Sequence, residues 1–165
     1  MIKSLFERIF VAYNGSKSSQ NAVMYAILMA KLYKCQVKVS YIVDVEAIKK
    51  LSLTKFIVTD EAEEIKSQLM LDGERKLRYA QELAKSKGIT LETQLRYGSV
   101  WSEIIMAADE FKASLILLGG ALETNYFASL NKSSISNQNS EIIGSAHCSV
   151  IVVKQPYLEQ LFMMA

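Results

Sequence analysis

Two short apolar runs near the end of the chain bracket a long polar loop, and they limit the folds that the chain can adopt. The runs occupy residues 115–118 and 150–153, and the loop opens with Gly119 and Gly120. A run that is apolar at every position is typical of a strand covered on both faces, as in a parallel sheet. Open α/β sheets bind ligands where strands deliver their carboxyl ends into loops. The loop after residue 118 is therefore the first candidate site.

The first 44 residues have the pattern of a strand, a helix and a second strand. An apolar run at residues 9–12 ends at the Asn-Gly-Ser sequence of residues 14–16, which indicates a sharp turn followed by a helix cap. The helix is predicted to end near Lys34, and a second strand at residues 37–43 closes with Asp44. A crossover helix of this length predicts parallel strands joined by a right-handed connection.

The middle of the chain contains an irregular segment, a long helix and a third strand. Residues 45–60 mix apolar and basic side chains without a clear period, which predicts a long, partly mobile, flap-like insertion. Residues 61–87 repeat apolar side chains at helical spacing, with Gly73 on the apolar face. Residues 89–97 alternate between apolar and polar, which predicts a strand with one wet face at a sheet edge. Another helix is predicted after Gly98.

Length and composition predict a single domain. The chain has 165 residues, half of them hydrophobic, which is enough for one buried core. We expect this domain to fill residues 1–165, with its core at residues 8–153 and a tail at residues 154–165. The net charge of +2 comes from scattered lysines and arginines, which argues against a nucleic-acid groove.

The cysteines and the apolar runs predict a cytoplasmic protein. Cys35 and Cys148 are far apart and form neither a metal motif nor a disulfide framework, as is typical of a reducing compartment. The longest apolar run, at residues 22–30, is far shorter than the roughly 18 residues that a membrane span requires. We therefore expect no membrane partner.

No group of residues predicts a catalytic or metal site. His147 is the only histidine, and its neighbour Cys148 is expected on the opposite face of a strand, so the two would not chelate one metal ion. The carboxylates of Asp109 and Glu110 have no second acid at a spacing suited to acid–base catalysis. The prediction is therefore a protein that binds rather than catalyses.

The order of these elements resembles the universal stress protein family. The segments that carry the resemblance are IFVAYNGSKSSQNAVMYAILMAK, YIVD, GSVWSEIIMAADEFKASLILLGG and AHCSVIVV, which together extend over nearly the whole chain. The resemblance implies a Rossmann-like α/β fold with an open parallel five-stranded sheet in the order 3-2-1-4-5 and helices on both faces. It also implies a homodimer formed through strand 5, from Val150 to Val153, and a non-enzymatic role in stress survival or regulation.

The resemblance further implies where ATP or another adenine nucleotide would bind. Nucleotide-binding members carry a glycine, two residues, a second glycine, nine residues, and then glycine followed by serine or threonine. Here Gly119 fills the first position, whereas strict spacing places Leu122 at the second. Counting back from strand 5 aligns the final pair with Ser136 and Asn137, which implies an insertion of about four residues. The loop is therefore a degenerate form of the family motif.

Three further residues complete the implied site. Asn14 stands where most nucleotide-binding members have an aspartate, and Ala12 and Ile42 are expected beside the base. Two interpretations stay open: the serines and asparagines of the loop still hold an anion, or the loop has lost the site.

Two other functions are alternatives to a stress regulator. One is an enzyme of the adenine-nucleotide α-hydrolase group, but residues 14–18 lack the second glycine and the aspartate of its SGGxDS loop. The other is a protein-interaction module that needs no nucleotide.

Overall fold

The computed structural model describes residues 4–54, 58–120 and 137–165. Five strands form one parallel sheet: β1 (Arg8–Tyr13), β2 (Gln36–Asp44), β3 (Glu92–Gly98), β4 (Leu115–Gly119) and β5 (Ser149–Val153). The helices are α1 (Lys17–Tyr33), α2 (Val45–Leu53), α3 (Thr59–Lys85), α4 (Val100–Phe111), α5 (Asn137–Ser145) and α6 (Leu158–Met164). The strand order is β3-β2-β1-β4-β5, which confirms the predicted fold class.

Two hydrophobic clusters lie on opposite faces of the sheet. The side chains of Ile9 and Val11 enter a cluster with α1, α3 and α6, whereas Phe10 enters a cluster with α4 and α5. This division follows from the twofold alternation of side chains along a strand. Because β1 is central, it is covered on both faces, as its continuous apolar run predicts.

The turn between β1 and α1 forms as its sequence predicts. Gly15 adopts a positive φ of 80°, a conformation that glycine tolerates without steric cost. Ser16 is the N-cap of α1, and its side chain accepts a hydrogen bond from the backbone N–H of Ser19. The helix ends where Lys34 takes up the left-handed conformation.

The interpretation of residues 45–60 as an irregular insertion was wrong for its first part. Asp44 ends β2 and caps α2, since its Oδ1 accepts a hydrogen bond from the backbone N–H of Ala47 at 3.0 Å. Within α2 only Ile48 is buried. Val45, Ile48 and Leu51 recur at a spacing of three residues, a short helical signal that the sequence analysis did not recognise. Residues 55–57 of the predicted flap lie outside the described residues.

The edge position predicted for the third strand is confirmed, but only part of its polar face is wet. β3 pairs with β2 alone and begins at Glu92 rather than at residue 89. α4 covers the polar face, where Arg96 Nε lies 2.8 Å from Glu103 Oε2 and Nη1 lies 2.8 Å from Glu110 Oε2. The hydrogen bond from Arg96 lowers the pKa of Glu110 below its ordinary value. Ion pairing with helix carboxylates therefore replaces solvent around Arg96, whereas Glu92 on the same face stays exposed.

β5 forms the opposite edge of the sheet. Within the ranges that the structure describes, it pairs with β4 alone, and its residues Val150, Ile151 and Val152 are only partly buried. α6 buries Leu158 and Phe162 in the cluster formed with α1 and α3, which also includes Val153 of β5. None of the helices in the described ranges is long and apolar enough to cross a membrane.

Gly73 allows α3 to approach the sheet closely, which generates a first prediction. A Cβ atom at this position would lie 2.6 Å from Tyr41 Cδ1 and 2.8 Å from Leu95 Cδ1. We expect Gly73→Ala to destabilise the protein by about 1–2 kcal/mol, since overpacking outweighs the better helix propensity of alanine. Urea denaturation measures this difference.

The matched control is Gly144→Ala in α5, where an added Cβ meets no atom within 4 Å. This variant should be neutral or more stable by up to about 1 kcal/mol. Equal effects of the two substitutions would contradict the packing explanation.

Candidate functional site

A cleft of about 630 Å³ lies at the carboxyl ends of β1, β2 and β4. This is the position at which open α/β sheets bind ligands. One part of its wall is apolar and consists of Ala12, Ile42, Val100, Ile104, Leu118 and Ile142. The other part is polar and includes the serines of the β1–α1 turn, Gly119, Gly120, and Gln138 and Asn139 from α5. The cleft therefore suits a ligand with one apolar end and one polar end.

The structure brings together four of the six residues that the sequence analysis assigned to the site. The four that line the cleft are Ala12, Asn14, Ile42 and Gly119. Asn137 is the exposed first residue of α5 and is not part of the described lining. Ser136 lies outside the described residues.

The side chain of Asn14 builds the β1–α1 turn. Its Oδ1 accepts hydrogen bonds from the backbone N–H of Ser16 at 2.9 Å and from Ser19 Oγ at 2.8 Å. An aspartate would accept the same two bonds with a full negative charge, whereas asparagine holds the turn without that charge. The substitution therefore preserves the geometry of this wall and makes the cleft less negative.

The start of α1 faces the cleft with hydroxyl groups and unpaired backbone donors. Ser16 Oγ and Ser18 Oγ lie 3.1 Å apart, and both residues line the cleft. The first turn of a helix presents free N–H groups and a partial positive charge. An anionic group of a ligand is therefore most favourable at this end of the cleft.

A lysine of α3 supports the β1–α1 turn from the other side of the sheet. Lys76 Nζ lies 2.7 Å from Asp72 Oδ2 and donates a hydrogen bond to the backbone oxygen of Asn14 at 3.4 Å. A Cβ at Gly15 would contact the aliphatic carbons of Lys76, which lie at the flexible end of that side chain and can move. Gly15 is thus required by its positive φ.

Gly119 brings the end of β4 against the start of α1. A Cβ at this position would lie 2.5 Å from the backbone carbon and oxygen of Ser18, which cannot move without displacing the helix. The backbone oxygen of Gly119 accepts a hydrogen bond from Asn139 Nδ2 at 3.0 Å, which fixes α5 to the sheet. The resemblance to the family motif implies phosphate binding at this glycine. The structure shows in addition that a larger residue would collide with the backbone of Ser18.

The sequence analysis missed several residues of the wall. Val100 and Ile104 of α4 line the apolar part of the wall. Their spacing of four residues places them on one face of the helix, but the sequence does not show that this face lines a cleft. Gln138 and Asn139 follow the loop and gave no periodic signal. Ser40, like Lys38, interrupts the apolar residues of β2, and this interruption was a signal that could have found it.

The remaining candidate groups lie away from the cleft. His147 Nδ1 is 2.9 Å from Asp109 Oδ2 in a pair whose side chains are 72% and 48% exposed. Burial raises the pKa of both Cys35 and Cys148, so both thiols stay protonated at neutral pH. Within the described ranges no three metal-binding side chains form a cluster.

Comparison with known proteins identifies the family. The model of the universal stress protein family matches residues 5–154. The chain belongs to this family. A universal stress protein of Methanocaldococcus jannaschii is 28% identical over 158 residues, which cover 95% of this chain and 87% of that protein.

Solved universal stress proteins share the fold. The protein UspA of Lactobacillus plantarum has a TM-score of 0.73 and 19% identity, covering 92% of this chain and all of that one. A universal stress protein in complex with cAMP has a TM-score of 0.60 and 20% identity, over 92% and 98% of the two chains. One from Archaeoglobus fulgidus in complex with dAMP has a TM-score of 0.59 and 18% identity, over 92% and 100%.

The contact at Gly119 generates a second prediction for this universal stress protein. We expect Gly119→Ala to lower the free energy of unfolding by about 2 kcal/mol or more, because the new methyl group meets fixed backbone. Urea denaturation measures the loss, with Gly144→Ala again as the control. A Gly119→Ala protein as stable as the wild type would show that the end of β4 does not need to approach α1 so closely.

Proposed function

We propose that the protein is a cytoplasmic, non-enzymatic, dimeric regulator of stress survival that binds an adenine nucleotide in the cleft. The observation that carries this proposal is the division of the cleft into an apolar wall and a polar wall at the start of α1. Relatives of the same fold in complex with cAMP and dAMP support the choice of an adenine nucleotide.

In the proposed complex, the base lies against Ala12 and Ile42, and the phosphates extend towards Gly119 and the first turn of α1. The apolar wall excludes water from the base, and the helix N-terminus favours the negative charge of the phosphates. We propose Ser136 and Asn137 as further phosphate-binding residues, since in the sequence they immediately precede the residues of α5 that line the cleft.

We propose that the protein does not hydrolyse the nucleotide, because the polar side chains of the cleft form hydrogen bonds within the fold. Asp44 is the one carboxylate in the described lining, and its Oδ1 caps α2. The oxygens of Ser16 and Ser19 take part in the hydrogen bonds of the β1–α1 turn. A general base beside a free nucleophile is the arrangement that nucleotide hydrolysis requires, and these contacts do not provide it.

The nucleotide proposal predicts that the purified protein binds ATP in a ratio of one per chain. We expect mass spectrometry of the denatured protein to detect released nucleotide, or calorimetry with added ATP to show saturable heat. Ala12→Leu fills the apolar wall and should weaken binding at least tenfold, whereas Leu53→Lys, on exposed α2, should not. No released nucleotide together with no heat would refute nucleotide binding, and steady release of phosphate from ATP would refute the non-enzymatic role.

The dimer proposal rests on the position of β5, which forms an edge of the sheet among the described residues and has valines that are only partly buried. A partner strand of a second copy satisfies such an edge. We expect light scattering at micromolar concentration to give twice the chain mass, and Val152→Lys to reduce it to one chain because a charge on an edge strand opposes pairing. Leu53→Lys is the matched control, and a wild-type monomer would contradict the proposal.

A further inference from the structure

A second groove, of about 410 Å³, lies between α3 and the β1–α1 turn. α3 packs on one face of the sheet, whereas α4 and α5, which line the cleft, pack on the other. Tyr13 and Gln20 line one side of this α3 groove, and Arg75, Arg78 and Tyr79 line the other. Its volume is within the range of pockets that hold small molecules. The α3 groove is therefore a candidate site apart from the cleft.

Two arginines of the α3 groove have no partner for their charge among the described residues. Arg75 and Arg78 are exposed, and neither guanidinium group takes part in an ion pair or a hydrogen bond with any described residue. Lys76 differs from them, because its Nζ lies 2.7 Å from Asp72 Oδ2. Residues three apart are neighbours on a helix surface, so both guanidinium groups are available to one ligand. Their planar arrays of donors suit phosphate and carboxylate oxygens.

A buried tyrosine adds a neutral donor to the α3 groove. Tyr13 is only 4% exposed, and it lines the groove together with Gln20. Burial raises the pKa of the Tyr13 phenol, and a hydrogen bond from the side chain of Gln20 only partly offsets this shift. The phenol therefore keeps its proton at neutral pH. Because its oxygen accepts from Gln20, the proton stays available for donation to a ligand.

We propose that the α3 groove is a second binding site, which takes a small phosphorylated ligand. The guanidinium groups of Arg75 and Arg78 bind phosphate oxygens, and the Tyr13 hydroxyl donates to another. A phosphate group has three acceptor oxygens for these three donors, whereas a carboxylate has two. The ring of Tyr79, which is 45% exposed, covers the part of the ligand next to the phosphate. Glu82 also lines the groove and repels an anion, so the phosphate lies away from that carboxylate.

Calorimetry on the full-length protein at neutral pH, with inorganic pyrophosphate as the probe, tests this site. We expect saturable binding that Arg75→Gln together with Arg78→Gln weakens more than about tenfold, because the charge-assisted hydrogen bonds are lost. Tyr13→Phe should weaken binding about 3- to 10-fold, since it removes one donor. Glu82→Gln should strengthen binding, because it removes the repulsion between the carboxylate and the anion.

The matched control is Lys49→Gln together with Lys50→Gln, which removes the same charge from the exposed side of α2 and should leave binding unchanged. An equal loss in this control would show that pyrophosphate responds only to net charge and would overturn the proposal. Unchanged binding after the two arginine substitutions would place the anion elsewhere, with the same consequence. No saturable heat and no shift in melting temperature with the wild type would also overturn it. Malonate, a dicarboxylate, should bind more weakly, and malonate binding as tight as that of pyrophosphate would contradict the choice of phosphate.

Discussion

The burial of β1 on both faces is the constraint on which the rest of the structure depends. The side chains of Ile9 and Val11 pack with α1 and α3 on one face of this central strand. Phe10 packs with α4 and α5 on the other face. A strand covered in this way must have neighbours on both edges, and β2 and β4 provide them. The carboxyl ends of these three strands then form the cleft, so the position of the site follows from the packing of the sheet.

The sequence predicted those features that depend on local chemistry. A continuous apolar run predicted β4, and the Asn-Gly-Ser turn predicted the cap of α1. Each of these signals lies within a few neighbouring residues, and the same residues form the strand or the helix cap. The strand order came from family resemblance, because periodicity alone does not say which strands are adjacent.

The features that escaped prediction depend on contacts between distant residues. α2 is an exception, because Val45, Ile48 and Leu51 recur at helical spacing and this local signal was overlooked. The polar face of β3 was predicted to be wet, since its sequence does not show that Arg96 pairs with Glu103 and Glu110 of the following helix. In the site, Ala12, Asn14, Ile42 and Gly119 were found by resemblance to the family motif. Gln138 and Asn139 enter the cleft only through the placement of α5, and no local pattern indicates it.

The attachment of α5 has a consequence for the stability of one wall of the cleft. Ile142 is the one buried residue within this helix, which packs against α4, and Asn139 donates a hydrogen bond to β4. A helix that buries a single side chain opens locally at a lower free energy than a sheet covered on both faces. The wall that α5 forms is therefore less stable than the part of the cleft that β1, β2 and β4 form.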